Sequence, residues 1–146
     1  MRLDAVTGRR FRLRLVGLLQ APLVRVLAIL RGMNGCVFCR VAAGEVPAKV
    51  LFADDDVVAF HDLHPQAPVH VLVIPRRHVA SLAAAEPADV ELLGRLQLAC
   101  AEVARRCEID ADGFRVVANT GPGAGQTVHH LHYHVLGRRH FSWPPG

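Results

Sequence analysis

Three histidines, His130, His132 and His134, recur at a spacing of two residues in a segment that is otherwise rich in apolar side chains. Neutral imidazole is a nucleophile near pH 7, and protonated imidazole donates hydrogen bonds to anionic oxygen. A row of such rings suits attack on phosphorus or coordination of a metal ion. Burying three titratable rings side by side is costly, so the arrangement indicates a function.

The residues between these histidines, Leu131 and Tyr133, favour an extended strand, in which alternate side chains point to opposite faces. Such a strand places the three imidazoles on one face at intervals of about 6.6 Å, and leaves His129 on the other. A group over the middle ring could then touch both neighbouring rings. A glycine-rich loop over residues 121–127 leads into the strand, and its backbone N–H groups could approach phosphate oxygens. The loop favours phosphorus chemistry.

The elements that must position these side chains can be read from the rest of the chain. Short strands are predicted over residues 49–53, 57–61, 70–74 and 114–118, in addition to the histidine strand. An amphipathic helix is predicted over about residues 87–107, because Pro87 suits a helix start and apolar residues recur at helical spacing. This order predicts an α+β fold with an antiparallel sheet covered by one main helix.

The charge of the chain is unevenly distributed. The formal net charge is +4, but residues 1–33 hold seven Arg and one Asp, whereas the remainder holds ten Lys and Arg against twelve Asp and Glu. We therefore expect one mildly acidic domain over residues 35–146, with no nucleic-acid partner and no membrane association. The basic, apolar arm over residues 1–34 is too interrupted to span a bilayer. It is either a real extension, with some features of an organelle-targeting peptide, or lies upstream of a true start at Met33.

The four cysteines fall into two pairs. Cys100 and Cys107 lie seven residues apart on the predicted helix and are expected to be small core residues. Cys36 and Cys39 form a C-x-x-C pattern, which is compatible with a redox pair, half of a zinc site, or coincidence. Free cysteines fit a reducing compartment, and we expect the domain to be cytoplasmic.

Several separated motifs resemble one family. Residues 125–137 resemble the signature of the histidine triad proteins, H-x-H-x-H followed by apolar residues, and the likeness continues through residues 60–63, 65–70 and 73–78. The ending Trp143-Pro144-Pro145-Gly146 is similar to that of the Hint branch, which contains purine nucleoside phosphoramidases. The resemblance covers about residues 36–146, with residues 138–146 as a C-terminal tail. It implies an antiparallel sheet of about five strands that continues across a homodimer.

The resemblance also implies an activity. Members of this branch hydrolyse the P–N bond of purine nucleoside 5′-phosphoramidates through a nucleotidyl-histidine intermediate. By this resemblance His132 is the nucleophile, and His134 holds phosphate oxygens and assists the leaving amine. His70 takes part in a proton relay. His130 orients the nucleophile in zinc-free relatives and ligates the metal in zinc-bearing ones.

The nucleotide-binding residues follow from the same resemblance. Asp62 would accept hydrogen bonds from the ribose hydroxyls, a task that suits a carboxylate. The base would lie between Phe60 and Leu63. The remaining implied contacts are Asn119 at the ribose or phosphate, Gly125, Gln126 and Thr127 at the phosphate together with His132 and His134, and Trp143, which would cross to the partner's active site.

For the C-x-x-C pattern, the resemblance implies structural zinc held by Cys36, Cys39, His78 and His130, and no organic cofactor; a reduced, metal-free pair is the alternative. Two other functions remain open. One is hydrolysis of dinucleoside polyphosphates or nucleotide conjugates, as in a sister branch, and the other is a non-catalytic, zinc-stapled nucleotide-binding scaffold. The sequence leaves open the physiological amine and the preference between adenine and guanine.

Overall fold

A computed structural model of the chain describes residues 35–145. The predicted arm over residues 1–34 and the alternative start at Met33 lie outside these residues. Among the helices that are described, none is long and apolar enough to cross a membrane.

Five antiparallel strands form one sheet in the order β1-β2-β3-β5-β4. Their bounds are β1 Val50–Ala53, β2 Val57–His61, β3 Val69–Pro75, β4 Phe114–Val117 and β5 Tyr133–Gly137. β3 lies in the middle of the sheet and is buried along its whole length, and all of its residues except His70 are apolar. The strands β1 and β4 form the two edges. The predicted α+β fold with an antiparallel sheet is confirmed.

Two helices cover the two faces of this sheet. The predicted main helix, α2, runs over Val90–Arg106 after a short 3-10 turn at Pro87–Asp89, and packs Leu96, Cys100 and Val103 against one face. The other face is covered by α1, Val37–Ala42, a six-residue helix that the sequence analysis did not predict. Because strand side chains alternate, neighbouring residues of one strand contact different helices.

The prediction that one strand carries all three histidines is wrong in its extent. β5 begins only at Tyr133, which pairs with Val73 of β3. Continued pairing would bring the preceding residues opposite Pro75, which lacks a backbone N–H and ends β3. The chain instead turns, with the His130 N–H bonded to the Val128 carbonyl at 2.9 Å. As a result His130 and His132 lie before the strand, and only His134 lies on it. His129 is exposed, as expected.

Candidate active site and metal centre

The position of the His132 ring is fixed by the turn that precedes β5. Its Nδ1 atom lies 2.6 Å from the carbonyl oxygen of His130, and the side chain is buried. A carbonyl only accepts, so Nδ1 carries the ring proton and Nε2 of the neutral ring carries the lone pair. The ring has Phe38 at 5.2 Å on one side and His134 at 5.0 Å on another, measured between ring centroids.

A second chain of hydrogen bonds fixes the protons of His70 and His134. The backbone N–H of Gln66 donates to Nδ1 of His70 at 3.0 Å, so the His70 proton is on Nε2. That Nε2–H donates to Nδ1 of His134 at 2.8 Å, so neutral His134 carries its own proton on Nε2. His134 thus offers a donor beside His132, while His132 offers a lone pair. Neighbouring rings with complementary roles suit nucleophilic attack assisted by an acid.

Burial keeps these imidazoles neutral. Desolvation lowers the pKa of His134 to about 4, with smaller contributions from His132 and His70, while Asp62 opposes the shift. Desolvation also lowers the pKa of His70, again opposed by the Asp62 carboxylate. In the free protein, both rings are therefore uncharged near pH 7.

His132 and His134 line a cavity of about 310 Å³. One wall is largely apolar and comes from α1 and the loop that follows it, a wall the sequence analysis missed because α1 is too short to show a helical period. The full lining is Val37, Phe38, Val41, Val46, Pro47, Ala48, Phe60, His61, Asp62, Leu63, His64, Leu72, Thr127, Val128, His132 and His134. Apolar walls with a few convergent polar groups are typical of small-molecule sites.

Most of the predicted nucleotide-binding residues meet at this cavity. Phe60 forms part of its buried wall, whereas Leu63 at the rim is 83% exposed. Asp62 and Thr127 also line it. His61 and His64, for which the sequence predicts no role, lie on the same lining.

Gln126 does not fit its predicted role as a donor to phosphate. Its side-chain carbonyl accepts from the Gly121 N–H at 2.9 Å, and its amide donates to the carbonyls of Ala80 at 2.8 Å and Val128 at 2.9 Å. An amide has only two N–H donors, so both are used within the loop. Gln126 therefore stabilises the conformation of the loop and has no side-chain N–H left for a phosphate. Gly125 contributes a left-handed backbone, φ 77°, at the turn.

Asn119 and Trp143 lie outside the main cavity. Asn119 lines a smaller space of about 180 Å³, which shares His134 with the main cavity. Trp143 is 84% exposed on the tail, which Arg115 of β4 holds by donating to the Ser142 and Pro145 carbonyls at 2.8 and 3.3 Å.

Another cavity, of about 320 Å³, lies by the β1–β2 turn and the start of α2. Charged residues line it, and two of its arginines form ion pairs: Arg95 lies 3.3 Å from Asp56, and Arg77 pairs with Asp89. The residues that line this cavity include no imidazole and no thiol, so the cavity that His132 and His134 line is the candidate active site.

Cys36, Cys39, His78 and His130 form a separate cluster, in which the four ligand atoms all lie within 4.8 Å of one another. Nδ1 of His130 is 3.4 Å from each sulfur, and Nδ1 of His78 is 3.3 Å from the Cys39 sulfur and 3.2 Å from His130 Nδ1. Around tetrahedral zinc, with usual bond lengths, S···N and N···N separations are about 3.5 and 3.3 Å. The donor set fits zinc in identity, number and spacing.

The protonation of the cluster also fits a cation. Nε2 of His130 donates to the Pro75 carbonyl at 2.9 Å, so Nδ1 carries a lone pair toward the sulfurs. Desolvation, together with Cys36, raises the pKa of Cys39 to about 12, and desolvation lowers the pKa of His130 to about 4. Neutral imidazole is the form that ligates metal, and a thiolate at Cys39 needs a nearby positive charge to form.

Comparison with known proteins places this geometry in a family. The family model of the HIT domain matches residues 43–141. An uncharacterized HIT-like protein of Synechocystis is 51% identical over 110 residues, which cover 75% of this chain and 96% of the relative. The adenylylsulfatase HINT1 of Arabidopsis thaliana is 44% identical over 112 residues, covering 75% of this chain and 76% of the relative.

A crystal structure of a HIT family hydrolase from Legionella pneumophila is similar in fold as well as sequence. It superposes with a TM-score of 0.75 at 42% identity, covering 77% of this chain and all of the other. The family match spans most of the chain and includes β1 through the end of β5. The chain therefore belongs to the HIT domain family.

Proposed function

We propose that the chain is a nucleotide hydrolase that cleaves the P–N bond of purine nucleoside 5′-phosphoramidates. The observation that carries this proposal is the His132 ring, whose proton is committed to the His130 carbonyl and whose Nε2 lone pair is free in a nucleotide-sized cavity. The names of the similar proteins, a HIT family hydrolase and an adenylylsulfatase, support a hydrolase acting on a nucleotide.

In the first step, Nε2 of His132 attacks the α-phosphorus and the P–N bond breaks, leaving a nucleotidyl-histidine. The leaving nitrogen needs one proton to depart as an amine. The His70–His134 pair supplies it after gaining a proton from solvent at Nδ1 of His70, in place of the Gln66 N–H. The Nε2 proton of His134 then moves to the amine as the Nε2 proton of His70 moves to Nδ1 of His134, so the pair ends neutral.

In the second step, water attacks the nucleotidyl-histidine and the bond from phosphorus to His132 breaks. Nε2 of His134 takes the proton of the water, and the Nδ1 proton of His134 returns to His70. The pair thereby regains its charge and His132 regains its lone pair. The products are a free amine and a nucleoside 5′-monophosphate.

The nucleoside would occupy the rest of the cavity. Phe60, Leu63 and the α1 wall offer apolar surface for a base, and Asp62 offers a carboxylate for the ribose hydroxyls. Thr127 and the backbone of residues 121–127 are the candidate phosphate contacts. Asn119 would reach the substrate from the adjoining space beside His134.

We further propose that Cys36, Cys39, His78 and His130 hold structural zinc. Four protein ligands leave no open position for water or substrate, so the metal would supply no chemistry beyond fixing α1 to the segment before β5. None of the four cysteines, all within the described residues, forms a disulfide, which suits a reducing compartment such as the cytoplasm.

The proposed assembly is a homodimer joined at β4. This strand is an edge of the sheet and carries the half-exposed Phe114, so it could pair with a second copy. Arg115 of β4 holds the tail, which leaves Trp143 exposed near the proposed interface. There Trp143 would reach the partner's cavity and restrict the leaving group. Light scattering tests the dimer, and Trp143→Ala should change the selectivity among amines.

The experiment that tests the function compares turnover of three adenosine conjugates by the purified protein. These are the 5′-phosphoramidate with its P–N bond, a dinucleoside polyphosphate with P–O–P, and adenylyl sulfate with P–O–S. We expect the phosphoramidate to be cleaved with the highest kcat/KM. Preference for the polyphosphate would support the sister-branch activity, and preference for adenylyl sulfate the activity in the name of the Arabidopsis relative. Binding of nucleotide without turnover of any conjugate would indicate a scaffold.

A further inference from the structure

Asp62 lines the cavity and also contacts His70. Its Oδ1 accepts from the His64 N–H at 2.8 Å, while its Oδ2 lies 3.3 Å from Nε2 of His70. The backbone N–H of Asp62 also donates to the His70 carbonyl at 3.1 Å. The carboxylate is thus held beside the His70–His134 pair in the free protein, before any ribose is present.

Asp62, His70 and His134 could be mistaken for a metal site, because one ligand atom of each lies within 4.8 Å of the others. The separation between His70 Nε2 and His134 Nδ1 is 2.8 Å, shorter than the roughly 3.3 Å expected for two nitrogens on one tetrahedral metal. The Gln66 N–H occupies Nδ1 of His70, so Nε2 carries a proton and cannot ligate. The three groups therefore surround the proton on Nε2 of His70 and do not form a metal site.

We infer that Asp62 is a positioning residue for proton transfer, in addition to its candidate ribose contact. Its carboxylate stabilises the positive charge of the His70–His134 pair and orients the proton on Nε2 of His70. This rests on the proposed function, in which the pair must become cationic to release the amine. The first proton enters from solvent at His70, each later one comes from the attacking water at Nε2 of His134, and each leaves with the amine; Asp62 itself transfers no proton.

The charged groups around the His70–His134 pair support this role for Asp62. Within the described part of the chain, the ionisable groups that face the pair are Asp62, from the loop after β2, and His132, from the segment before β5. His132 carries no negative charge, so it cannot stabilise the positive charge of the pair. Asp62 can, because its side chain is only 17% exposed and its field is weakly screened. Its charge acts to raise the pKa of both histidines against the larger effect of burial.

The test separates this role from ribose binding by using a substrate without ribose hydroxyls. Asp62→Asn removes the charge and keeps an acceptor for the His64 N–H, and it is assayed on adenosine 5′-phosphoramidate and on its 2′,3′-dideoxy analogue. Asp55→Asn, an exposed carboxylate in the β1–β2 turn, is the matched control. If Asp62 only binds ribose, its substitution should change the ribonucleoside reaction alone.

We expect Asp62→Asn to lower kcat on the dideoxy substrate by about tenfold or more, the scale of one charge-assisted hydrogen bond in the transition state. The alkaline limb of the kcat profile should move to lower pH, because loss of the anion lowers the pKa of the cationic pair. In a His70→Asn background, which keeps an acceptor for the Gln66 N–H, the Asp62 effect on this substrate should disappear. A kcat within about twofold of wild type on the dideoxy substrate would overturn the inference.

A measurement on the free protein keeps this result distinct from the proposed function. NMR titration should give a lower pKa for His70 in Asp62→Asn than in wild type, and an unchanged pKa would overturn the inference whether or not any conjugate is cleaved. Absence of wild-type turnover would instead remove the proposed function. If Asp62→Asn does not fold, Asp62→Ser is titrated in its place, since a serine hydroxyl can still accept from the His64 N–H.

Discussion

Nδ1 of His132 lies 2.6 Å from the carbonyl oxygen of His130, while the ring of His130 faces the sulfurs of Cys36 and Cys39. His130 therefore uses its backbone to orient the candidate nucleophile and its ring to complete the metal cluster. The two roles that the family resemblance offers for this residue are compatible, because they use different atoms. Phe38 packs edge-on against both His130 and His132, at 6.0 and 5.2 Å, and joins the two sites further.

Zinc content is the first prediction. Protein purified without chelator should hold one zinc per chain, and Cys36→Ser should lose it and melt about 10 °C lower or more, since loss of a ligand that closes α1 onto the sheet costs several kcal/mol. Metal analysis and thermal denaturation measure this. Cys107→Ser makes the same chemical change outside the cluster and should retain zinc. Finding no stoichiometric metal in wild type would remove the zinc proposal.

Gln126 provides a prediction about loop stability. Gln126→Ala leaves the Gly121 N–H and the carbonyls of Ala80 and Val128 without this partner, and should lower the free energy of unfolding by about 2–3 kcal/mol. Urea denaturation checks it, with the neighbouring exposed Thr127→Ala as control, expected within about 0.5 kcal/mol of wild type. A stable Gln126→Ala protein with lost turnover would instead indicate direct substrate contact.

Much of the fold could be predicted from the sequence, because it depends on local patterns. The bounds of β2 agree with the prediction, and β1, β3 and α2 agree to within a few residues at their ends. The short α1 was missed because six residues span less than two helical turns. The start of β5 was misplaced because the residue that stops its pairing, Pro75, is on another strand.

The candidate site was less accessible to local reasoning. Cys36 and His130 are 94 residues apart, so only the family resemblance suggested that they meet. Gln126 has the right chemistry for a phosphate contact, and its sequence position does not reveal that its amide is consumed within the loop. The sequence indicates which polar residues are candidates for the site, but the hydrogen-bond partners of those residues depend on the packed structure.

Asp89 gives a prediction about acid stability. The Glu86 N–H, followed by Arg77, holds the pKa of the Asp89 carboxyl below its ordinary value. A lowered folded-state pKa contributes stability that is full above the unfolded value of about 3.9 and is lost as pH falls through the folded value. Unfolding free energies measured from about pH 6 to pH 2 should fall more steeply for wild type than for Asp89→Asn. Parallel curves would contradict the role of Asp89.

The basic arm gives a prediction about domain organisation. A chain that begins at Met33 should fold and keep full turnover, since residues 1–32 lie outside every motif that resembles the family. Circular dichroism and the phosphoramidate assay compare it with the full chain. An insoluble or inactive truncated protein would show that the arm contributes to the fold.

The covalent role of His132 is the central claim, and trapping the intermediate tests it most directly. Acid sensitivity of a phosphorus–nitrogen bond requires a fast denaturing quench at alkaline pH, followed by mass spectrometry of the peptide that contains His132. We predict a nucleotidyl adduct on this residue in wild type. In His132→Gly the adduct should be absent and turnover lower by several orders of magnitude, at about 1.4 kcal/mol per tenfold, with nucleotide binding retained. Near-normal turnover by His132→Gly, or an adduct on another residue, would contradict the mechanism.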